Sequence, residues 1–98
     1  MIVLPATVTL REATATLRSL AASLEAEPAG ADGAVVVDAS ALQRFDSSAI
    51  AVLIECRRLT ESRGGRRLRL QGAPAPLLGL AKLYGVQDLL PAQDAAGT

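Results

Sequence analysis

A chain of 98 residues has room for one domain around one core. Half of it is apolar, yet it holds one Phe, one Tyr and no Trp, so that core must be built from Leu, Val, Ile and Ala. Ten acidic and ten basic residues cancel, which excludes a global field drawing the chain to nucleic acid or an anionic membrane.

The opening MIVLP reads as a short strand ended by Pro5. Its decapeptide MIVLPATVTL lacks the basic start and apolar stretch of a secretory signal. No apolar run reaches the ~20 residues of a membrane span, so the expectation is a soluble cytoplasmic protein without direct membrane insertion. Thr9-Leu10-Arg11-Glu12 is a capping-box pattern, in which Thr9 and Glu12 can satisfy each other's free backbone donors. Ala13, Leu17, Leu20, Ala21 and Leu24 then recur at helical spacing, which predicts a helix from about Leu10 to Ala26. EPAGADG (27–33) is a loop by composition.

AVVVD, from Ala34 to Asp38, is apolar and β-branched on consecutive positions, the pattern of an inner strand of a parallel sheet. A second helix is predicted from Ser47 to Arg63, ending at Gly64-Gly65, with an exposed stripe of Ala51, Glu55, Arg58 and Ser62. RRLRLQG (66–72) alternates, with Leu68 and Leu70 inward and Arg67, Arg69 and Gln71 outward. Pro74 and Pro76 open a third helix carrying Leu77, Leu80, Ala81 and Tyr84 and stopping at Gly85. Val86 to Leu90 is a short apolar ending, and residues 91–98 read as a frayed tail. The order of elements implies right-handed crossovers. The expected fold class is therefore α/β: a mainly parallel sheet of three to four strands, with helices packed mostly on one face.

Six of the nine arginines fall between Arg57 and Arg69, opposed within that run only by Glu61. The patch reads as a solvated helix end and strand edge rather than a binding surface. The chain has no histidine, no Cys-x-x-Cys, no carboxylate cluster and no Gly-rich phosphate loop after a strand. Asp38 and Asp46 lack a base or nucleophile around them, and Cys56 sits in the apolar run of helix two as a small core residue. A single cysteine excludes an internal disulfide and fits a reducing compartment. Catalysis, a metal and a cofactor are all unexpected.

What invites a functional reading is FDSSAIAVLIECRR, residues 45–58, which puts hydroxyls at the mouth of a buried helix. Asp46 or Ser47 can cap that helix, and Ser48 falls in the first turn, where the helix dipole would favour an added phosphate. The wider stretch VVVDASALQRFDSSAIAVLIECRR resembles the signature of STAS domains, the family of bacterial anti-sigma factor antagonists and sulfate-transporter tails. There a strand ends in Asp-x-Ser, here Asp38-Ala39-Ser40, and an Asp-Ser-Ser-Gly-Leu-like segment opens the next helix, here Asp46-Ser47-Ser48-Ala49-Ile50.

The resemblance covers roughly Ile2 to Leu90 and departs from the family in two places. An additional strand ahead of MIVLP has no room here, which implies a sheet smaller by a strand. Ala49 stands where the family has glycine, a change expected to hinder a partner that approaches the backbone closely. Within the family, the short length, AVLIECRRL and GAPAPLLGLAKLYGVQDLL look most like the cytoplasmic STAS subunit of a phospholipid-transporting ABC complex. That likeness implies a non-catalytic domain docked on the ATPase subunit of a membrane complex, with a hydroxyl residue matching Ser47 in the contact. Asp46, Ala51, Glu55 and Tyr84 are the further interface candidates. The antagonist branch instead implies an anti-sigma kinase as partner and phosphorylation at Ser48.

Overall fold

A computed structural model describes residues 2–27, 30, 32–64, 66–90 and 92–93. Its elements are β1 (Ile2–Val3), β2 (Thr7–Val8), α1 (Ala13–Ala26), β3 (Ala34–Asp38), β4 (Arg44–Phe45), α2 (Ser47–Glu61), β5 (Arg67–Gln71), α3 (Ala75–Leu83), a 3-10 turn at Gln87–Leu89, and β6 (Ala92–Gln93). Four of the strands form one sheet in the order β1-β3-β5-β6, with every pair parallel. The chain steps steadily across this sheet without reversing direction. Right-handed crossovers taken always in one direction put α1, α2 and α3 on the same face. The expected architecture is therefore the one observed.

Strand alternation sorts the side chains between the two faces. Val35 lies opposite Leu68, and Val37 opposite both Leu70 and Ile2, and all five are buried beneath the helices. Leu20 and Leu24 of α1, Ile50, Leu53 and Cys56 of α2, and Leu77 and Ala81 of α3 close the core over them. Each fully buried Leu or Ile contributes about 1.5–3 kcal/mol, which lets aliphatic residues alone hold the domain. The opposite face carries Val3, Val36, Asp38, Arg67, Arg69 and Gln71 and has no helix on it among the described residues.

Three details of the expected elements depart from the sequence reading. Residues 91–98 are not all tail: Ala92 and Gln93 pair with Leu70 and Gln71 as β6, so the fourth strand comes from the C-terminal side. Residues 94–98 lie outside the described part. Helix α1 begins at Ala13 rather than Leu10, because the capping box is only half formed. The Glu12 carboxylate accepts the Thr9 backbone N–H at 2.8 Å and the Thr9 hydroxyl as well. That hydroxyl is thereby spent as a donor, the Glu12 N–H turns to the Thr9 carbonyl at 3.0 Å, and Leu10 to Glu12 form a turn. Helix α2 ends at Glu61, two residues before the expected Arg63, and Gly64 takes a left-handed φ of 58° just beyond it.

A second, two-residue parallel ladder was not foreseen. Thr7 pairs with Arg44 and Val8 with Phe45, which joins β2 to β4 and carries the Thr9–Glu12 turn up against the start of α2. The basic run is likewise tied inward. Arg57 pairs with Glu61 at 3.1 Å, Arg58 with Glu55, Arg63 with Glu25 at 3.0 Å and Arg69 with Asp32 at 3.2 Å. Arg67 donates to the Asp32 carbonyl at 2.9 Å. Arg66 donates to the carbonyls of Leu24 and Glu27, acceptors that the end of α1 leaves free. The cluster fastens the lower end of the domain rather than presenting a field.

Candidate interface at the first turn of helix α2

Two Asp-x-Ser triplets bracket the loop between β3 and α2, and they share one geometry. Asp38 accepts the Ser40 backbone N–H at 2.9 Å, and Asp46 accepts the Ser48 N–H at 2.8 Å. Between them Ala39 and Leu42 are buried and pin the loop to the core. The turn after β5 tucks against it: Gly72 has φ 68°, and a Cβ there would stand 2.8 Å from the Cβ of Ser40. Only glycine permits both that conformation and that approach.

Asp46 settles which residue caps α2. It lies in extended conformation at the N-cap, and its second oxygen accepts the Leu10 backbone N–H at 3.1 Å. The Ser48 N–H holds its carboxyl below the usual carboxylate range, the Leu10 N–H adds to this, and partial burial opposes it. The Ser48 hydroxyl contributes in the same direction. Asp38 is lowered in the same way by the Ser40 N–H and then its hydroxyl. Both carboxylates are therefore ionised hydrogen-bond acceptors committed to the fold.

Ser47 has no such duty. It occupies the first position of α2, is exposed, and its hydroxyl makes no hydrogen bond among the described residues. Ser48 is half-buried beside Asp46, while Ala49 is 1% exposed. The methyl of Ala49 is thus turned into the core, and the expectation that it crowds a partner is removed by its direction.

From Ser47 the surface stripe runs through Ala51, Glu55 and Arg58. Glu55 is half-buried and held by Arg58, whose Nε donates to it at 2.9 Å; this bonding lowers the Glu55 carboxyl and fixes the far end of the stripe as a neutral pair. Tyr84 is 55% exposed but follows the last turn of α3. Since α2 and α3 both run back against the parallel strands, Tyr84 points to the opposite end of the domain from Ser47. The structure assembles Asp46, Ser47, Ser48, Ala51 and Glu55 on one surface and leaves Tyr84 apart.

Sequence reasoning missed the other half of this surface. A groove of about 230 Å³ runs beside Ser48, Ala51 and Val52, with Leu10, Thr14 and Leu17 forming its second wall. Leu10 is 77% exposed although its backbone is tied to Asp46. The signal lies in Leu10 and Leu17, seven residues apart, but periodicity assigns Leu17 to the core stripe of α1 and leaves Leu10 only as the expected start of that helix.

Cys56 is wholly buried, and burial pushes its thiol up to about 12, with the Glu55 charge adding to the effect. Among the described residues no three His, Cys, Asp or Glu side chains gather as a metal site. The sheet order also contains no reversal, the feature that opens a ligand crevice in α/β sheets. The geometry presents a hydroxyl-tipped helix end beside a mainly apolar groove.

A small α/β domain with a parallel sheet covered by helices on one face is the class that this fold defines. Residues 7–91 match the family model described as "Mlab, STAS domain", and the chain belongs to the STAS-domain family. The same fold occurs in the solved structure of an anti-sigma-factor antagonist (STAS) domain protein from Planctomyces limnophilus. The two superpose with a TM-score of 0.75 at 15% identity, over 95% of this chain and 80% of that one. No curated protein matches the chain in sequence. STAS domains generally bind rather than catalyse. Among the described residues, no helix is long and apolar enough to cross a membrane.

Proposed function

We propose that the domain is an MlaB-like subunit, which docks through the first turn of α2 on the ATPase subunit of an ABC-type phospholipid transporter and stabilises that subunit in the assembled complex. The observation that carries this reading is the division of labour at α2: Asp46 and Ser48 build the cap, and the neighbouring Ser47 hydroxyl is left facing outward with no structural role. The family model with MlaB in its description supports the transporter side. A domain that prefers one conformation of its ATPase shifts that enzyme's equilibrium by its differential affinity alone, so no catalytic group is required. The complex would hold the domain at the cytoplasmic face of the membrane, peripheral to it.

Co-purification tests the reading. Wild type should recover an ABC ATPase and its permease from membranes, and Ser47→Glu should recover neither, because a charge would be desolvated at the contact. Equal recovery by both proteins would remove Ser47 from the interface.

A second reading has the domain as an anti-sigma factor antagonist switched by phosphorylation of Ser48. What favours it is the named role of the Planctomyces limnophilus protein that shares the fold. In this chain a phosphate on Ser48 would sit beside the Asp46 carboxylate, where like charges repel and the cap would loosen. Recovery of a kinase-like protein, with phosphate on Ser48, would select this reading.

A further inference from the structure

We propose that the cleft between α1 and the edge strand β1 is a ligand site, which takes a small uncharged molecule with an apolar body and a hydrogen-bonding oxygen. The cleft lies on the flank of α1 opposite the groove beside Ser48. Ala15, Thr16, Ser19 and Leu20 line it, whereas Leu10, Thr14 and Leu17 line that groove, so the site does not rest on the docking reading. Strand β1 ends the sheet, and its Val3 and Leu4, with Pro5, form the second wall. The room of about 510 Å³ falls within the ~300–1,000 Å³ of small-molecule pockets.

The decisive residue is Thr16. It is 9% exposed and packs one turn before the buried Leu20, yet its hydroxyl makes no hydrogen bond among the described residues. A buried helical Thr ordinarily bonds the carbonyl four residues back, as Thr60 does with the Cys56 carbonyl at 2.8 Å. The Glu12 carbonyl receives the Thr16 backbone N–H at 2.8 Å but not its hydroxyl. Nor is that hydroxyl sealed in: among the described residues, the enclosed side-chain polar atom without a partner is Arg66 Nε. The surface that Thr16 keeps therefore includes its hydroxyl, and it opens into this cleft. An apolar side chain of the same shape would fill the position without an unpaired polar group. What enters the cleft accounts for the hydroxyl better than the fold does.

The rest of the lining defines the ligand's chemistry. Leu4 and Leu20, both buried, give the cleft an apolar floor, and Ala15 and the 57% exposed Val3 give it apolar sides. Thr7 and Ser19 add two hydroxyls that are also unbonded among the described residues. Glu12 is the charged group in the lining; its carboxylate is committed to Thr9, and the neighbouring Arg11 offsets its charge. No lysine or arginine among the described residues lines the cleft. A phosphate or carboxylate would therefore lie unpaired beside an ionised Glu12, at a desolvation cost that a neutral molecule escapes.

The test titrates the purified domain with cyclohexanol, and with cyclohexanecarboxylate as its charged counterpart, following amide chemical shifts and melting temperature. Cyclohexanol should bind saturably, shift the amides of Leu4, Thr16 and Leu20, and raise the melting temperature. The carboxylate should bind about tenfold more weakly. Thr16→Val keeps the side-chain shape, so without ligand it should melt at or above the wild-type temperature. It should bind cyclohexanol about fivefold more weakly, the loss of one neutral hydrogen bond. Ala15→Leu, at an exposed helical position, should fill the cleft and abolish the shifts while the fold is kept. Wild type without saturable shifts, Thr16→Val binding as tightly as wild type, or the carboxylate binding as tightly as the alcohol would each overturn the site. Shifts at the same amides that grow with protein concentration in the absence of probe would mean that a second copy covers the cleft, and would overturn it too.

Discussion

The Asp46 carboxylate joins the Leu10 backbone to the first turn of α2 across 36 residues, with an oxygen 3.1 Å from the Leu10 nitrogen. Its other oxygen caps α2 through the Ser48 N–H at 2.8 Å. One side chain therefore positions both walls of the groove that Leu10 and Ser48 line. Asp46→Ala should cost more stability than any neighbouring surface change, because two donors lose their acceptor together. Urea denaturation of Asp46→Ala beside Ser47→Ala checks this ranking, with a lowered midpoint expected for Asp46→Ala only.

Stability should fall in acid and hold steady towards neutrality. The carboxyls of Glu12, Asp32, Asp38 and Asp46 all titrate lower when folded than their ordinary values. The unfolded chain therefore takes up protons first, near about pH 4. Their contribution is present above that value and drains as pH falls through the lower folded values. With no histidine in the chain, no step is expected between about pH 6 and 8. Urea midpoints along an acid series should show this, and Asp46→Asn should remove part of the acid loss.

Ser47→Glu separates folding from binding. A negative charge at the first helical position interacts favourably with the α2 dipole, by roughly 0.3–1 kcal/mol. The variant should melt at or slightly above the wild-type temperature while losing its partner. Calorimetry alongside the co-purification test reads both effects, and a large drop in melting temperature would contradict the exposed, unbonded position of Ser47.

Gly72→Ala should destabilise the domain by about 1–3 kcal/mol, since it adds a clash at 2.8 Å to Ser40 and a left-handed backbone that Ala resists. Ala at Gly64, equally left-handed but with open space around its Cβ, should cost less. Comparing the two by urea denaturation isolates the packing contribution between the β3–α2 loop and the β5–α3 turn.

Much of this fold was legible because its inner strands carry unambiguous patterns. AVVVD announces β3 at its observed bounds, RRLRLQG (66–72) overruns β5 by one residue at each end, and Asp-Ser-Ser places the start of α2 correctly. Three of the two-residue strands were not legible, since Thr7–Val8, Arg44–Phe45 and Ala92–Gln93 are too short to show a period and exist only through their partners. The same limit hid the fate of the arginines, whose acceptors Glu25, Asp32 and the end of α1 lie far away in sequence. In the candidate site, the stripe through Ala51, Glu55 and Arg58 followed from helix periodicity, and Ser47 from the STAS-like Asp-Ser-Ser motif. The Leu10 wall depends on a hydrogen bond that no spacing rule contains.

The most direct test of the central claim is thiol crosslinking in cells through Ser47→Cys, a replacement close to serine in size. The native Cys56 is wholly buried with its thiol pushed up to about 12, so the introduced thiol is the reactive one. A short crosslinker should join the domain to the ATPase subunit of an ABC transporter, identified by mass spectrometry of the adduct. An adduct with a kinase-type anti-sigma factor, or none in cells where the transporter is assembled, would contradict the account.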